Sequence, residues 1–345
     1  MRALALTALS GLDNVAIVDV PEVAPGPGEV TVRVEAAALN HLDLWTVSGA
    51  LGIEYELPHV LGADGAGVID ATGAGVEGLK PGMRVVINPG LSCGRCEFCR
   101  AGEQSECTTF RMLGEHVQGT FADLVAVPAE NVFPYPDHLS QVEAAALGVT
   151  FITAYRMLFT RARMVPGEWV LVTGIGGGLA LSLFQLARPL AGRLYVTSSS
   201  DDKLKTALEM GADAGINYRN DDVGKEIRRL TSKRGVDLAA DSAGGPALDG
   251  ALRALRKGGR VVMAGATAGP RADLDVRRLF WNQLSVIGST MGSIADVSDM
   301  LRMVGGLGLK PTIDRVVPFD EGPAALRHLE SQERFGKIVL DLTGN

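Results

Sequence analysis

The stretch "WVLVTGIGGGLALSLFQLAR", residues 169–188, decides how most of this chain is expected to fold. Its first 19 residues carry no charge, a length that would span a bilayer. However, glycine occupies position 174 and positions 176–178, and glycine favours a turn over a helix. The stretch therefore predicts a buried strand over 169–173, a glycine turn over 174–178, and a helix that Pro189 stops after Arg188.

The segments that follow repeat this alternation of strand and helix. Apolar runs such as "RLYVTS", "VDLAADS" and "RVVMAGA" are separated by amphipathic segments such as "DDKLKTALEMGA". Short apolar strands between helices are typical of a parallel sheet covered on both faces. The pattern begins near Ser140, where Glu143 three residues later completes a capping box that predicts a helix start.

The residues before Ser140 follow a different pattern. From Met1 to about Pro136, short apolar alternations are separated by turns such as "PGPGEV". This spacing predicts a bent, barrel-like antiparallel sheet. The opening "MRALALT" reads as its first strand, although a short apolar run after one arginine is also how a secretory signal begins.

Length and charge limit the range of functions. A chain of 345 residues is too long for one compact core, so two domains are expected. With 46% hydrophobic and 21% charged residues the chain is globular, and its net charge of −7 argues against a nucleic-acid or anionic-membrane partner. We expect a cytoplasmic protein whose partner is a small molecule.

The glycine turn has the features of a dinucleotide site. Glycines between a buried strand and a helix let the backbone approach a pyrophosphate, whose charge meets free N–H groups and the helix N-terminus. A strict G-x-G-x-x-G is absent, because Leu179 occupies the last place. The pattern is closer to G-x-x-G-G-x-A, formed by Gly174, Gly177, Gly178 and Ala180, and the surrounding strands and helices favour the dinucleotide interpretation.

The end of the second strand bears on which dinucleotide binds. NAD sites place an acidic residue there, which would repel the 2′-phosphate of NADP. Here the strand runs into Ser198–Ser200, with Lys203 close behind, and hydroxyls and ammonium groups bind phosphate. NADP is therefore favoured, and NAD stays open because Asp201 or Asp202 can either reach the ribose or cap the helix that follows.

All four cysteines lie within residues 93–107. Their spacing, C-x2-C-x2-C-x7-C, is short enough to surround one tetrahedral zinc and to fill all its coordination positions. Two disulfides are the alternative, but no convincing secretion signal indicates an oxidising compartment. We therefore predict one structural zinc held by Cys93, Cys96, Cys99 and Cys107, and no cysteine remains for nucleophilic catalysis.

Motifs along nearly the whole chain resemble one enzyme family. In order they are "GPGEVTVRVEAAALNHLDLW", "PHVLGADGAGVI", "KPGMRVVINPGLSCGRCEFC", "GTFADLVAVP", "TAYRML" and "GKIVL". Together they resemble the medium-chain dehydrogenase/reductase superfamily. The resemblance implies an α/β protein with a GroES-like β-barrel catalytic domain, residues 1–149 and 292–345, and an inserted Rossmann doubly wound parallel-sheet domain, residues 150–291. It also implies a nicotinamide cofactor in a cleft and a homodimer or homotetramer.

The sequence departs from the zinc alcohol dehydrogenases of this family. Those enzymes hold a catalytic zinc through a Cys, the His of a G-H-E motif and a second Cys, and the matching places here read Asn40, Ala63 and Val149. Asp64 stands where the Glu of G-H-E would be. An N-x-x-D motif, here Asn40 to Asp43, resembles the zinc-free quinone oxidoreductase branch.

Loss of the catalytic zinc changes the expected substrate. Without a Lewis acid, a quinone or α,β-unsaturated carbonyl is easier to reduce than a simple carbonyl, because the charge of the hydride spreads over a conjugated system. We expect the Asn40 amide to donate to the substrate oxygen, and Trp45 and Phe151 either to form an apolar wall or to pack in the core. The resemblance places Asp43 beside the cleft as an orienting group. The predicted catalytic residues are Asn40, Asp43, Trp45, Asp64 and Phe151.

Further cofactor contacts are expected at strand ends, where an open parallel sheet binds its ligand. The resemblance also implies that Lys337 of "FGKIVL" closes over the cofactor. Each of these residues could instead serve only its loop. The full predicted set is Thr153, Gly174, Gly177, Gly178, Leu179, Ala180, Ser198, Ser199, Lys203, Tyr218, Ala243, Gly244, Gly265, Ala266, Ser289, Met291 and Lys337.

Two other functions remain open on the sequence. One is an alcohol or aldehyde dehydrogenase with a rebuilt metal site, in which His41, His59 or His116 joins Asp43 or Asp64. A single histidine of this set could equally donate a proton to the reduced substrate. The other is a protein that binds NADPH without catalysing a reaction.

Overall fold

The computed structural model describes residues 1–9, 11–50, 52–331 and 333–344. The chain forms two compact units, one of Met1–Ile152 with Gly292–Asn345 and one of Thr153–Met291. The first boundary therefore lies three residues beyond the expected one, inside a helix. None of the described helices is both long and apolar enough to cross a bilayer.

Among the described residues, the first unit begins with ten strands and four α-helices. The opening residues form a strand, as "MRALALT" predicts. The strands are β1 (Arg2–Leu6), β2 (Val15–Asp19), β3 (Glu29–Ala38), β4 (His59–Val60), β5 (Asp64–Thr72), β6 (Arg84–Ile87), β7 (Gly90–Leu91), β8 (Arg111–Met112), β9 (Leu124–Pro128) and β10 (Val132–Pro134). The helices are α1 (His41–Ser48), α2 (Glu97–Arg100), α3 (Gln141–Ala145) and α4 (Gly148–Tyr155).

The capping box predicted at Ser140 is present at the start of α3. The Ser140 hydroxyl accepts from the Glu143 N–H at 3.2 Å, and the Glu143 carboxylate accepts from the Ser140 N–H at 2.8 Å. Each bond gives a partner to a backbone N–H group that has none within the helix.

The second unit contains the predicted alternation of strands and helices. Its strands are β11 (Trp169–Val172), β12 (Arg193–Ser198), β13 (Ala214–Asn217), β14 (Val236–Asp241), β15 (Leu255–Met263) and β16 (Ser285–Gly288), and its helices are α5 (Gly178–Ala187), α6 (Asp201–Glu209), α7 (Val223–Leu230), α8 (Pro246–Ala254) and α9 (Val276–Trp281). All six strands are parallel in the order β13-β12-β11-β14-β15-β16. The order reverses between β11 and β14, which is where such sheets bind ligands.

The residues after the second unit return to the first. They form α10 (Ile294–Leu307), β17 (Ile313–Pro318), α11 (Gly322–Ser331) and β18 (Lys337–Asp341). β18 pairs antiparallel with β3, with Val339 opposite Ala38, so the main sheet has the order β10-β6-β5-β3-β18-β17 and β9 also pairs with β3. β5 pairs with the other edge of β3. The strand β18 therefore lies two strands away from β5, and β3 runs between them.

Alternate residues of the strands build the core of the first unit. Val30, Val32 and Val34 of β3 are buried in one cluster with Leu4 of β1 and Leu340 of β18. This period of two is what the alternation in the sequence predicts for a sheet with one buried face. In the second unit, by contrast, every residue of β14 is buried, as expected for a parallel strand covered by helices on both faces.

Gly67, where β3 and β5 pair, allows the close packing of the two strands to be tested. Gly67 lies opposite Val34, next to an irregularity in the pairing, and a Cβ on Gly67 would lie 1.9 Å from the Arg33 carbonyl oxygen. We predict that Gly67→Ala lowers the free energy of unfolding by about 3 kcal/mol, because backbone atoms cannot move aside cheaply. Gly306→Ala is the control, because a Cβ there meets no atom within 4 Å. Equal urea midpoints for the two variants would contradict the account.

Candidate active site and metal centre

Three buried polar residues meet at the ends of three neighbouring strands in the first unit. Asn40 follows β3, Asp64 begins β5 and Lys337 begins β18. The Lys337 ammonium donates to Asn40 Oδ1 at 2.6 Å and to Asp64 Oδ2 at 2.9 Å. Relative exposures are 6% for Asn40, 0% for Asp64 and 5% for Lys337, so the ion pair is almost completely removed from water.

The second oxygen of Asp64 also has a partner. Asp64 Oδ1 accepts from the Val149 N–H at 2.6 Å, which ties the carboxylate to the first turn of α4. Gly148 permits this approach, since a Cβ there would lie 2.1 Å from Asp64 Oδ1. A buried ion pair stabilises a fold only if its remaining polar atoms are satisfied, and here both carboxylate oxygens are.

Asp43 is a second buried acid beside this pair. Its Oδ2 accepts from the Asn40 N–H at 2.7 Å, an arrangement typical of the first turn of a helix. Burial raises the pKa of Asp43 to about 7, against the opposing effects of the Asn40 N–H and the Lys337 charge. The carboxyl group is therefore close to half protonated at neutral pH.

The two aromatic residues expected near the substrate differ in exposure. Phe151 of α4 is 1% exposed, which agrees with the alternative that it packs in the core. Trp45 of α1 is only partly buried, and its ring meets the His41 ring edge-on at 5.1 Å between centroids. Trp45 thus retains surface for a flat ligand.

The three histidines considered as metal ligands lie in separate surroundings. His59 Nε2 lies 3.2 Å from the Gly114 carbonyl oxygen, and His116 Nδ1 accepts from the Met112 N–H at 3.3 Å. His41 packs against Trp45. Within the described part of the chain, the cysteines form the one group of three or more His, Cys, Asp or Glu side chains arranged to hold a metal.

The four cysteine sulfurs converge on one point. All four Sγ atoms lie within 4.8 Å of one another, with 3.9 Å between those of Cys93 and Cys99 and 3.4 Å between those of Cys96 and Cys99. A tetrahedral zinc with bonds of about 2.3 Å separates its sulfurs by about 3.8 Å, whereas a disulfide joins them at about 2.05 Å. The spacing fits a metal.

Backbone N–H groups point at these sulfurs and favour the thiolates that a metal requires. The Cys93 N–H donates to Cys107 Sγ and the Cys96 N–H to Cys93 Sγ, each at 3.3 Å. The N–H groups of Cys99 and Thr108 lower the pKa of Cys96 to about 6, whereas burial raises the pKa of Cys99 to about 11. The cluster therefore has the donor set of a closed tetrathiolate site, which leaves no position for substrate.

The glycine turn has the expected conformation in the second unit. Gly174 and Gly176 have φ of 72° and 111°, and Gly177 is the N-cap of α5. The Lys203 side chain lies along the turn, because a Cβ on Gly176 would be 2.8 Å from Lys203 Cδ and 3.5 Å from its Nζ. Leu179 and Ala180 lie in the first turn of α5. A cation from the first turn of α6 thus reaches the glycine turn beside the end of β12.

The end of β12 runs through three serines into α6. Ser200 is the N-cap of α6, which begins at Asp201, so the predicted alternative of an aspartate cap for a helix beginning at Lys203 is wrong. Asp201 Oδ1 accepts from the Asn217 amide at 2.8 Å. Ser198 is buried and Ser199 is partly exposed.

The neighbouring strand β13 adds groups to the same edge. Because Ser198 pairs with Asn217, the residues that follow, Tyr218 and Arg219, leave the sheet beside the serines. Tyr218 is 51% exposed, and Arg219 is exposed. Arg219 was not among the predicted cofactor contacts. The signal that could have identified it is its position just after β13, the strand that pairs with β12.

The loops after β14 and β15 are held by buried hydrogen bonds. Asp241, at the end of β14, accepts from the N–H groups of Ala243 and Gly244 at 3.1 Å each. Gly265 has φ of 109°, and a Cβ there would lie 2.7 Å from the Ser242 carbonyl oxygen. Ala266 follows it. The two bonds to Asp241 fix the loop after β14, beside the switch point of the sheet.

Three predicted residues lie at the remaining ends of the second unit. Thr153 Oγ1 lies 3.7 Å from Met291 Sδ, and Met291 has φ of 44°. The Ser289 hydroxyl is buried and has no hydrogen-bond partner within the described residues. An unpartnered buried hydroxyl is costly, so it favours a ligand group at this strand end.

Comparison with known proteins links these sites to enzymes. A family model described as an alcohol dehydrogenase GroES-like domain matches residues 26–137, and one described as a zinc-binding dehydrogenase matches residues 178–305. An NAD-dependent alcohol dehydrogenase of Saccharolobus solfataricus is 31% identical over 99% of both chains. The synaptic vesicle membrane protein VAT-1 homolog of Rattus norvegicus is 31% identical over 99% of this chain and 84% of its own. A crystal structure of an NAD-dependent alcohol dehydrogenase has a TM-score of 0.93 and 43% identity, covering 99% of this chain and all of that one.

The raised pKa of Asp43 makes stability depend on pH. The carboxyl ionises near 3.8 in the unfolded chain and near 7 in the folded one, so unfolding releases a proton between these values. Stability therefore falls as pH rises towards 7, by up to about 1.4 kcal/mol per pH unit, and levels off above it. We predict that Asp43→Asn removes this slope. Urea unfolding of both proteins between pH 5 and 8.5 checks it, and parallel profiles would contradict the assignment.

Proposed function

Because the chain belongs to the medium-chain dehydrogenase/reductase superfamily and is an oxidoreductase enzyme, we propose that it reduces quinones or other conjugated carbonyl compounds with NADPH and without a catalytic zinc. The family, the α/β fold class with its GroES-like domain, and the enzymatic nature expected from the sequence motifs are confirmed. One observation carries the finer proposal. The Lys337 ammonium is hydrogen-bonded to Asn40 and Asp64. Asn40 stands where the family has the first cysteine ligand of the catalytic zinc, and Asp64 stands where it has the Glu of G-H-E.

The charges at this place disfavour a second metal ion. A divalent cation bound to Asp64 would compete with an ammonium 2.9 Å away in a buried site, where like charges repel strongly. Ala63 and Val149 supply no ligand side chain. The Asn40 amide, in contrast, is suited to donate to a substrate oxygen that gains charge.

The reaction needs a conjugated acceptor to spread that charge. When bound, NADPH would supply a hydride, and this hydride with one proton from solvent would convert a quinone to a hydroquinone or an enone to the saturated carbonyl, leaving NADP⁺. Protein hydrogen-bond donors at the carbonyl oxygen then suffice to stabilise the enolate or phenolate. Trp45, with its partly exposed ring, supports a flat substrate.

The preference for NADPH is supported by the edge formed by β12 and β13. Ser199, Lys203, Tyr218 and Arg219 offer hydroxyl groups and two positive charges, and Asp201 is bonded to Asn217. A 2′-phosphate gains charge-assisted hydrogen bonds from such groups. The unpartnered Ser289 hydroxyl fits a cofactor at the far end of the same sheet.

We further propose that the four cysteines bind one zinc ion, which braces their loop. Reduced cysteines are required, in keeping with a cytoplasmic location. The closed thiolate set assigns this ion a structural role.

The second unit also supports the proposed homodimer. β16 is an outer strand of its sheet, and α9 beside it exposes Val276, Phe280 and Trp281 by 62, 64 and 72%. Exposed edges and contiguous apolar side chains are covered in stable proteins. We propose that a second copy of the chain covers this face.

The choice of acceptor tests the function. We expect NADPH oxidation with 1,4-benzoquinone or cyclohex-2-en-1-one, and none with cyclohexanone, which has the same ring but no conjugation. Spectrophotometry at 340 nm measures each rate. Oxidation of benzyl alcohol without any reduction of conjugated acceptors would instead support an alcohol dehydrogenase, and tight NADPH binding without turnover of any compound would support a non-catalytic protein.

Lys203 tests the cofactor preference. We predict that Lys203→Ala raises KM for NADPH by about ten- to hundredfold, as expected for loss of a charged hydrogen bond, and changes KM for NADH little. Lys205→Ala, an exposed lysine on the same helix, is the control. Equal effects on both cofactors would contradict the assignment.

Trp281 tests the interface. We predict that Trp281→Asp converts a dimer into a monomer of about 36 kDa, because it puts a charge into an apolar contact. Leu208→Asp changes an exposed apolar side chain on α6 and should leave the dimer intact. Analytical ultracentrifugation measures both, and an unchanged mass for Trp281→Asp would exclude this face.

A further inference from the structure

The orientation of the Asn40 amide follows from its neighbour. An ammonium group donates hydrogen bonds and accepts none. The amide atom 2.6 Å from Lys337 Nζ must therefore be the oxygen, and the NH₂ group must face the other way. There, Nδ2 lies 3.3 Å from the Ala38 carbonyl oxygen, a long bond that uses one of its two hydrogens. No acceptor among the described residues takes the second hydrogen, which remains for a ligand.

Lys337 is itself held in place. Its second partner, Asp64, has 0% exposure and is anchored by the Val149 N–H at 2.6 Å. Moving the ammonium away would leave a carboxylate buried without a counter-charge, which is strongly unfavourable. The amide of Asn40 is thus fixed by a rigid charge and not by packing alone.

We propose that Lys337 is a positioning residue for carbonyl reduction: its ammonium holds the Asn40 amide with Nδ2 as the donor to the acceptor oxygen and polarises that donor. The inference rests on the proposed function, because it assigns the Asn40 amide to the acceptor carbonyl. A cation on the oxygen of an amide makes its N–H groups stronger donors, and the effect is largest where water is excluded. Through this amide, the lysine charge stabilises negative charge on the substrate oxygen.

The test removes the positive charge of Lys337 together with the negative charge of Asp64, so that no buried carboxylate is left without a counter-charge. Lys337→Met/Asp64→Asn replaces the ion pair by neutral side chains of similar size, and Lys337→Arg keeps the positive charge. Lys310→Met is the control, since it breaks an exposed ion pair with Glu143. All are assayed with NADPH and cyclohex-2-en-1-one after thermal unfolding shows that they fold.

We expect kcat of the double variant to fall about tenfold or more, less than the loss of an entire oxyanion donor, with KM for NADPH unchanged. Lys337→Arg should retain most of kcat, and Lys310→Met all of it. A double variant with the wild-type kcat would overturn the proposal. So would a rise in KM for NADPH at constant kcat, because that result assigns Lys337 to the cofactor, as the family resemblance implies.

A second readout does not depend on turnover. The side-chain amide signal of Asn40 in a ¹⁵N–¹H spectrum is identified by its loss in Asn40→Asp. We expect this signal to shift in Lys337→Met/Asp64→Asn and to stay unchanged in Lys310→Met. If the wild-type enzyme reduces no conjugated acceptor, the proposed function fails on its own, and an unmoved amide signal then decides separately against the positioning role.

Discussion

The buried ion pair between Lys337 and Asp64 is the interaction on which the candidate site depends. It joins the first residues of β18 and β5 across the end of β3, so it forms only when both ends of the chain share one sheet. Such a pair is stable in a dry interior only if its other polar atoms are bonded. The Val149 N–H and the Asn40 amide satisfy this condition, and the same contacts orient the residues proposed to act on substrate.

Two centres of the first unit thus have different roles. The cysteine cluster has the four-thiolate donor set of a closed site, for which we propose a structural zinc. The other centre is a lysine ammonium, which donates to Asn40 and Asp64 and cannot act as a Lewis acid. The proposed preference for acceptors that delocalise charge follows from this pair, and the buried Asp43 carboxyl, with its pKa raised to about 7, interacts with both of its charges.

The sequence predicted those features that depend on neighbouring residues. The strand, glycine turn and helix of residues 169–188, the capping box at Ser140 and the cysteine cluster are all local patterns, and the structure contains each. The contacts of Lys337 could not be predicted, because its partners lie 273 and 297 positions away and meet it only through the order of strands. Arg219 was missed for the same reason. For Phe151, a place in the wall of a substrate pocket and a place in the core both require an apolar residue. The sequence therefore cannot distinguish the two roles, and only the burial of the side chain in the structure favours the core.

Metal content tests the account most directly. Elemental analysis of the purified enzyme should find one zinc per chain, lost in Cys96→Ser and retained in Asn40→Ala and Asp64→Asn. Two zinc ions per chain, with one of them lost in Asp64→Asn, would contradict the claim that a lysine stands where the family's catalytic metal would bind.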